Sequence, residues 1–371
     1  MGESAHVSAI NSARAFRAEG RPDLAAAVLE RDADLANAKA DLMYLRALVD
    51  LDDRAPLQAA LIGSVDRIVD QARLPADYLQ LLLRQTQRAC LSEDWLERLL
   101  RKSWKSAKSM PEIMIAHRAA SRRLLLRRRM RARATPKASL ISLGLNCMPW
   151  NVPNQWGLRR AEDFVALHGP FDHGAHKLAL LLSALETDFA TYCAPENLTS
   201  VETQGGHVTP MRKDVMAVWN HNLGSYWIAD DFLRLRQSLT ARAETFRTAC
   251  RRQDVVFIMG RAPIDYPARP PEFLDRLNLA LQRFTGQARN RLVILDEYAQ
   301  SAACEWIDDW TLVLNCPYPK SNYVWYEDET ADTAEGLEYE HGWAMQVMHA
   351  LIRWGLTSPG EAFPAPVAAV A

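Results

Sequence analysis

The sequence predicts an α/β protein: a mostly parallel sheet with helices on both faces, three layers in all, preceded by an all-α helical-hairpin module. Three observations predict it. Between Gly20 and Gly63 there is no glycine, while Ala and Leu abound and apolar residues recur at three- and four-residue spacing. Beyond Pro136, short apolar β-branched runs alternate with stretches of helical periodicity. The charge also changes sharply at the junction. Residues 98–137 carry 14 Lys and Arg against one acid, whereas residues 1–97 carry 11 against 16 and residues 138–371 carry 19 against 28. The expected divisions are a helical module over 1–134, an α/β domain over 138–358 and a disordered tail over 359–371.

In the helical part, Leu24, Ala27 and Val28, then Met43, Leu45 and Leu48, mark apolar helix faces. Residues 13–50 resemble one tetratricopeptide-type helix pair, through Ala15, Gly20, Asp23, Ala25, Ala26, Leu29, Leu35 and Ala47. Such a stack is expected to serve as a protein-partner surface or as a packing module. The basic helix over 111–133 is densest in HRAASRRLLLRRRMRARA, residues 117–134. Its first reading is a linker helix packed against the acidic C-terminal part. Its second is contact with an anionic membrane through Leu124, Leu125, Leu126 and Met130. No aromatic residue interleaves with the arginines, so nucleic acid is not an expected partner.

In the α/β part, Leu140–Leu143 reads as the first strand. Helices are expected near 177–186, 231–251, 271–284 and 335–354, and strands at 214–219, 254–259, 291–295 and 311–314. Function in such a fold belongs at the carboxyl ends of the strands. Those ends carry Asn146 and Cys147, then Asn220, His221 and Asn222, then Gly260 and Arg261, then Asp296 and Glu297.

Cys147 is the most informative of these residues, because it sits on the sharp exit from the first strand, where enzymes place nucleophiles. A helix starting directly after it would favour the thiolate. The other cysteines (Cys90, Cys193, Cys250, Cys304, Cys316) form no CxxC pair, which argues against a zinc knuckle or a disulfide framework. The segment LHGPFDHGAH places His168, Asp172, His173 and His176 close together, but it reads as a loop without a metal-binding frame, so no metal is expected. No cofactor motif is found. The N-terminus lacks a basic segment followed by an apolar core, and no run of 18 apolar residues occurs, so a cytoplasmic protein is expected.

SLGLNC at 142–147, GPFD at 169–172 after WGLRR, LETDF at 185–189, WNHN at 219–222 and VVFIMGR at 255–261 follow one another in this order. Together they resemble a bacterial family of unknown function catalogued as papain-like cysteine peptidases, over residues 139–300. The resemblance implies a thiol nucleophile at Cys147 with His221 as its base, acting on a peptide, acyl or ester substrate. The chain departs from the family pattern at His173, where an aromatic is expected, and at Asn222, where an acid commonly follows the histidine. Which residue orients the base is therefore open between Asp172 and Asp296, with Asp172 favoured because it lies in a matched motif. Asn146 and the Cys147 amide are candidate oxyanion donors, and Arg261 and Asn222 are candidate substrate-binding groups. The strand–helix alternation is instead similar to SGNH-type esterases, whose final histidine block the segment around His341 resembles. A binding module holding an anionic ligand at the strand ends through Arg261 is the non-catalytic alternative.

Overall fold

A computed structural model describes residues 3–67, 74–202, 208–214, 217–260 and 271–360. The chain begins with seven helices: α1 (Glu3–Ala18), α2 (Pro22–Asp32), α3 (Ala38–Leu51), α4 (Arg54–Arg67), α5 (Ala76–Arg88), α6 (Glu93–Lys108) and α7 (Pro111–Arg131). Local signals set their starts. Pro22 stands in the first turn of α2, and the Asn37 side chain caps α3 by accepting from the Lys39 amide. Helices α5 and α6 bury Tyr78, Leu79, Leu82 and Leu83, and Leu96, Leu99 and Leu100, at the spacing of one helix face.

Two arginines of α7, Arg123 and Arg127, are buried inside the fold, and others pair with carboxylates nearer the surface. Arg127 is 2% exposed and pairs with the buried Glu93 at 3.0 Å, and Arg131 reaches the same carboxylate at 2.7 Å. Arg128 pairs with Glu97 of α6, Arg123 with Asp332, and Arg122 with Glu338. Burial of the Arg123 and Arg127 guanidiniums is tolerated because each finds a carboxylate.

The remainder is mixed α/β. In chain order it runs β1 (Ala134–Pro136), β2 (Ser139–Gly144), α8 (Met148–Gln155), α9 (Asp163–Ala166), α10 (Leu178–Glu186), β3 (Leu198–Glu202), β4 (Val208–Arg212), β5 (Ala217–Val218), α11 (Ser225–Cys250), β6 (Val255–Gly260), α12 (Pro271–Thr285), β7 (Arg291–Asp296), β8 (Ala303–Trp306), β9 (Thr311–Asn315), α13 (Asp328–Ala331), α14 (Ala334–Arg353) and β10 (Thr357–Pro359). The main sheet has the order β2-β6-β7-β9-β8, parallel except for the antiparallel edge strand β8. Residues alternate between its two faces, as the pleat requires. Ile141, Leu143, Phe257, Met259, Leu292 and Ile294 pack with α10, α11 and α12, and the same cluster continues into Leu45, Leu57, Leu79 and Leu96 of the leading helices. Leu140, Val256, Ile258, Val293 and Leu295 pack instead with Val347 and Leu351 of α14, with Val152 of α8 and with Trp156 just after it.

Three expectations are corrected here. Of the strand expected at 214–219, Ala217–Val218 is strand and Asp214 lies in a turn, while 215–216 lie outside the described residues. This short strand belongs to a separate antiparallel sheet, β3-β4-β5, so His221 does not follow a strand of the main sheet. Strand β8 is exposed along most of its length and carries no apolar pattern, which hid it. The expected tail from 359 begins too early, because Pro359 pairs with Ala134 in the two-stranded β1-β10 ribbon; residues 361–371 lie outside the described residues. Among the described residues no helix is long and apolar enough to cross a membrane.

Gly144 ends β2 at φ +70°, and a Cβ placed there would lie 2.3 Å from the Phe171 carbonyl oxygen and 2.6 Å from His176 Cε1. Gly144→Ala is expected to cost more than ~2 kcal/mol in urea unfolding, combining left-handed strain with a clash against backbone. Gly286→Ala shares the positive φ but meets nothing within 4 Å, and is expected to cost only about 1 kcal/mol.

Candidate active site

The strand exit that carries Cys147 is tightly constrained. Gly144 and Leu145 both adopt left-handed φ (70° and 74°), an uncommon conformation for leucine. His176 pins this elbow: its Nε2 accepts from the Leu145 amide at 3.4 Å, and its own amide donates to the Leu145 carbonyl. Burial lowers the pKa of His176 to about 4, so it stays neutral. Cys147 then forms the N-cap of α8, which begins directly at Met148.

Cys147 Sγ lies 3.3 Å from His221 Nε2, bringing together residues 74 apart in the chain. A chain of backbone bonds brings the histidine there. Ala175 and Val218 exchange two hydrogen bonds of 2.9 Å, joining the 168–176 loop to β5, and Trp219 and Asn222 close the turn that presents His221. The same bridge sets the His173 ring on the His221 ring, stacked with centroids 4.3 Å apart and 20° between planes. His173 in turn meets Asp52 at 3.3 Å and receives a hydrogen bond from Arg54 at 2.7 Å.

Asp52 was not legible as a site residue. It occupies a left-handed position (φ 53°) in the turn between α3 and α4, and its buried carboxylate gathers Arg54 at 2.5 Å, Arg242 of α11 at 2.6 Å and His168 at 3.6 Å. Burial alone would raise its pKa, but the two guanidiniums and two imidazoles hold it well below the usual carboxylate range. Asp52, His168 and His173 are near enough to hold a metal ion as a trio. Two guanidiniums already saturate the shared carboxylate, so a cation would be pressed against two positive charges; the trio is better described as an ion-pair knot.

The other expected site residues are placed as follows. Asp172 does not reach His221; its Oδ2 accepts from the Gly169 amide at 2.5 Å and pairs with His168 at 3.1 Å, closing the GPFD turn. Asp296 accepts from the Tyr298 amide and likewise does not hold the base. Asn146 donates its Nδ2 to Glu297 at 3.1 and 3.2 Å, and its Oδ1 accepts from the Met148 amide at 2.9 Å, so its side chain secures the elbow. Burial raises the pKa of that Glu297 to about 7, although Tyr318 and Asn146 donate to it. Asn222 is fully buried, and among the described residues neither of its side-chain amide atoms has a hydrogen-bond partner. Arg261 lies outside the described residues. His341 packs against Trp156 at 5.3 Å, not against the cysteine, so the esterase-like histidine is not brought to Cys147. The matched motifs GPFD, LETDF and WNHN supply Phe171, Phe189 and Trp219, which meet through Tyr192 in an aromatic cluster beside the site. Arg159 of WGLRR is buried and donates to the carbonyls of Leu140 and Trp150.

The charge state of the pair differs from the expected thiolate. Burial pushes the Cys147 thiol up to about 11, although the Gly174 amide and Arg88 act against it. For His221, desolvation and then Arg54, Arg88 and Arg242 outweigh Asp52 and lower its pKa to about 4. The residue as a whole is exposed; its Nε2 meets the cysteine sulfur and one face of its ring is covered by the His173 ring. The α8 N-terminus contributes only partial charge, which does not offset burial. At neutral pH the pair therefore rests as thiol and neutral imidazole.

The chain was compared with family models, curated proteins and solved structures, and none matches.

Two outcomes follow from these charge states. Alkylation of Cys147 by iodoacetamide, followed by mass spectrometry, is expected to be slow at pH 7 and to keep rising above pH 9, towards the raised pKa of about 11. An ordinary profile levelling near ~8.5 would contradict the burial argument. His176, whose folded pKa of about 4 lies below the ordinary 6.5, binds protons less readily folded than unfolded. The stability it contributes is complete above pH 6.5 and is lost as pH falls from 6.5 towards 4, which urea unfolding at pH 7.5 and pH 5 measures.

Proposed function

We propose that this protein is a cysteine-dependent hydrolase or acyl transferase acting on an amide, ester or thioester, with Cys147 as nucleophile and His221 as general base. One observation carries the reading: the 3.3 Å contact between Cys147 Sγ and His221 Nε2, delivered by a strained strand exit from one side and by the β5 turn from the other. Resemblance of the SLGLNC, GPFD and WNHN segments to the papain-like peptidase family supports the same pair. In this reading the fold is a three-layer α/β domain, and the leading helices form an all-α module that lends Asp52 and Arg54 to the site.

Because the pair rests uncharged, proton transfer and attack are coupled. His221 Nε2 takes the thiol proton as the sulfur–carbon bond forms at the substrate carbonyl. The developing oxyanion falls to the backbone amide of Cys147, since the Asn146 side chain is committed to Glu297. The imidazolium then gives its proton to the leaving group, and water or a second acceptor resolves the acyl-enzyme. His173 is a positioning residue here. It holds the imidazole face, and the Asp52 knot holds His173.

A panel of p-nitrophenyl esters and peptide amides tests this. Cys147→Ala and His221→Ala are each expected to lower turnover by ~10³-fold or more while the circular dichroism spectrum is retained. Undiminished turnover in Cys147→Ala overturns the reading.

A further inference from the structure

The turn that presents His221 is held from outside the α/β part. His221 lies three residues before Gly224, the N-cap of α11. There the backbone meets the α1–α2 turn at Gly20, one of the residues that give 13–50 its tetratricopeptide-like pattern. The approach leaves no room for a side chain on either partner. A Cβ at Gly20 would lie 2.7 Å from the Ser225 nitrogen and 3.0 Å from the Gly224 Cα, and one at Gly224 would lie 2.8 Å from the Gly20 Cα. Both glycines also have positive φ, 70° and 95°.

Hydrogen bonds close the contact. The Tyr226 amide, one of the donors that the first turn of α11 cannot satisfy internally, donates to the Gly20 carbonyl at 3.1 Å. Ser225 Oγ donates to the Glu19 carbonyl at 2.7 Å, and the buried Trp227 donates through Nε1 to the Asp50 carbonyl at 3.3 Å. The Asp50 carboxylate accepts from Arg17 near the end of α1. Two residues on stands Asp52, whose partner His173 stacks on His221. The leading helices therefore reach the base at two points: behind its turn through Gly20 and Asp50, and at its ring face through Asp52 and His173.

We propose that the α1–α2 turn is a positioning element for the base: Gly20, seated on Gly224, fixes the turn that brings His221 to Cys147. The positioning stands on the backbone geometry alone, and its effect on turnover rests on the cysteine-enzyme reading. Displacing a catalytic group by about 1 Å costs as much as ~10²-fold in rate.

NMR of the full chain carrying ¹³C-labelled histidine reads the positioning without a substrate. The His221 resonance, identified by its loss in His221→Ala, senses the ring of His173 stacked on it. In Gly20→Ala it is expected to move towards the position of free histidine, while the resonance of His176, at the strand exit, stays in place. Gly286→Ala, with a like φ and nothing within 4 Å, is the control and is expected to move neither. Ser225→Ala removes one hydrogen bond without adding a clash, and is expected to shift His221 in the same direction even where Gly20→Ala fails to fold. An unmoved His221 resonance in each of these two variants that folds overturns the proposal. Turnover of a p-nitrophenyl ester is expected to fall about tenfold or more in Gly20→Ala and about threefold in Ser225→Ala, in kcat with KM unchanged. A displaced His221 with undiminished kcat, while Cys147→Ala is inactive, overturns the link to catalysis. Undiminished turnover in Cys147→Ala is instead the failure of the enzyme reading, and the resonance test of the positioning is decided independently of it.

Discussion

The buried carboxylate of Asp52 is the constraint on which the site depends. It draws together the α3–α4 turn, Arg242 of the long helix α11, and His168 and His173 of the loop after α9. Each of these comes from a different stretch of the chain, and none is a neighbour of Cys147 in sequence. A buried ion-pair knot of this kind is weak evidence for net stability, because desolvation offsets much of the Coulomb gain. Its stronger effect is on geometry. With two guanidiniums fixed on one carboxylate, His173 has few alternative positions, and the His221 ring that stacks on it is confined in turn.

The same dense packing sets the chemistry. A thiolate–imidazolium pair is favoured where solvent or a strong positive field supports the charges. Here burial raises the cysteine, while desolvation of the imidazole and the nearby arginines lower the histidine. The arginines around Asp52 do not rescue the thiolate, because Asp52 neutralises part of their field and itself opposes ionisation of Cys147. A neutral pair suits a mechanism in which the proton moves as the bond forms. It also protects a nucleophile from adventitious oxidation, since reactivity follows thiolate content.

Much of this arrangement could be read along the chain, for local reasons. An apolar run ending in glycine marks β2, and the cysteine just beyond it lies at the carboxyl end of the sheet whatever the rest of the chain does. The parallel strands β6, β7 and β9 are buried on both faces, so their continuous apolar runs stand out, whereas β8 and β3 are exposed edges without a pattern. The GPFD motif points to Asp172 as the partner of the base, yet its carboxylate closes its own turn and meets His168, a local bond that sequence proximity alone would permit. Asn146 was a candidate oxyanion donor because it adjoins Cys147; only the position of Glu297, at the end of a strand two places along the sheet, decides that its amide is already engaged.

By itself, then, the sequence determined the helices, the buried parallel strands and Cys147 at a strand exit, because periodicity, glycine and capping act over a few residues. The tertiary structure alone decided which histidine face Cys147 meets, that a turn among the leading helices enters the site through Asp52 and Arg54, and that the thiol rests protonated. Those outcomes depend on burial and on charges from residues more than a hundred positions apart, such as Asp52 and His173, and no local pattern encodes them.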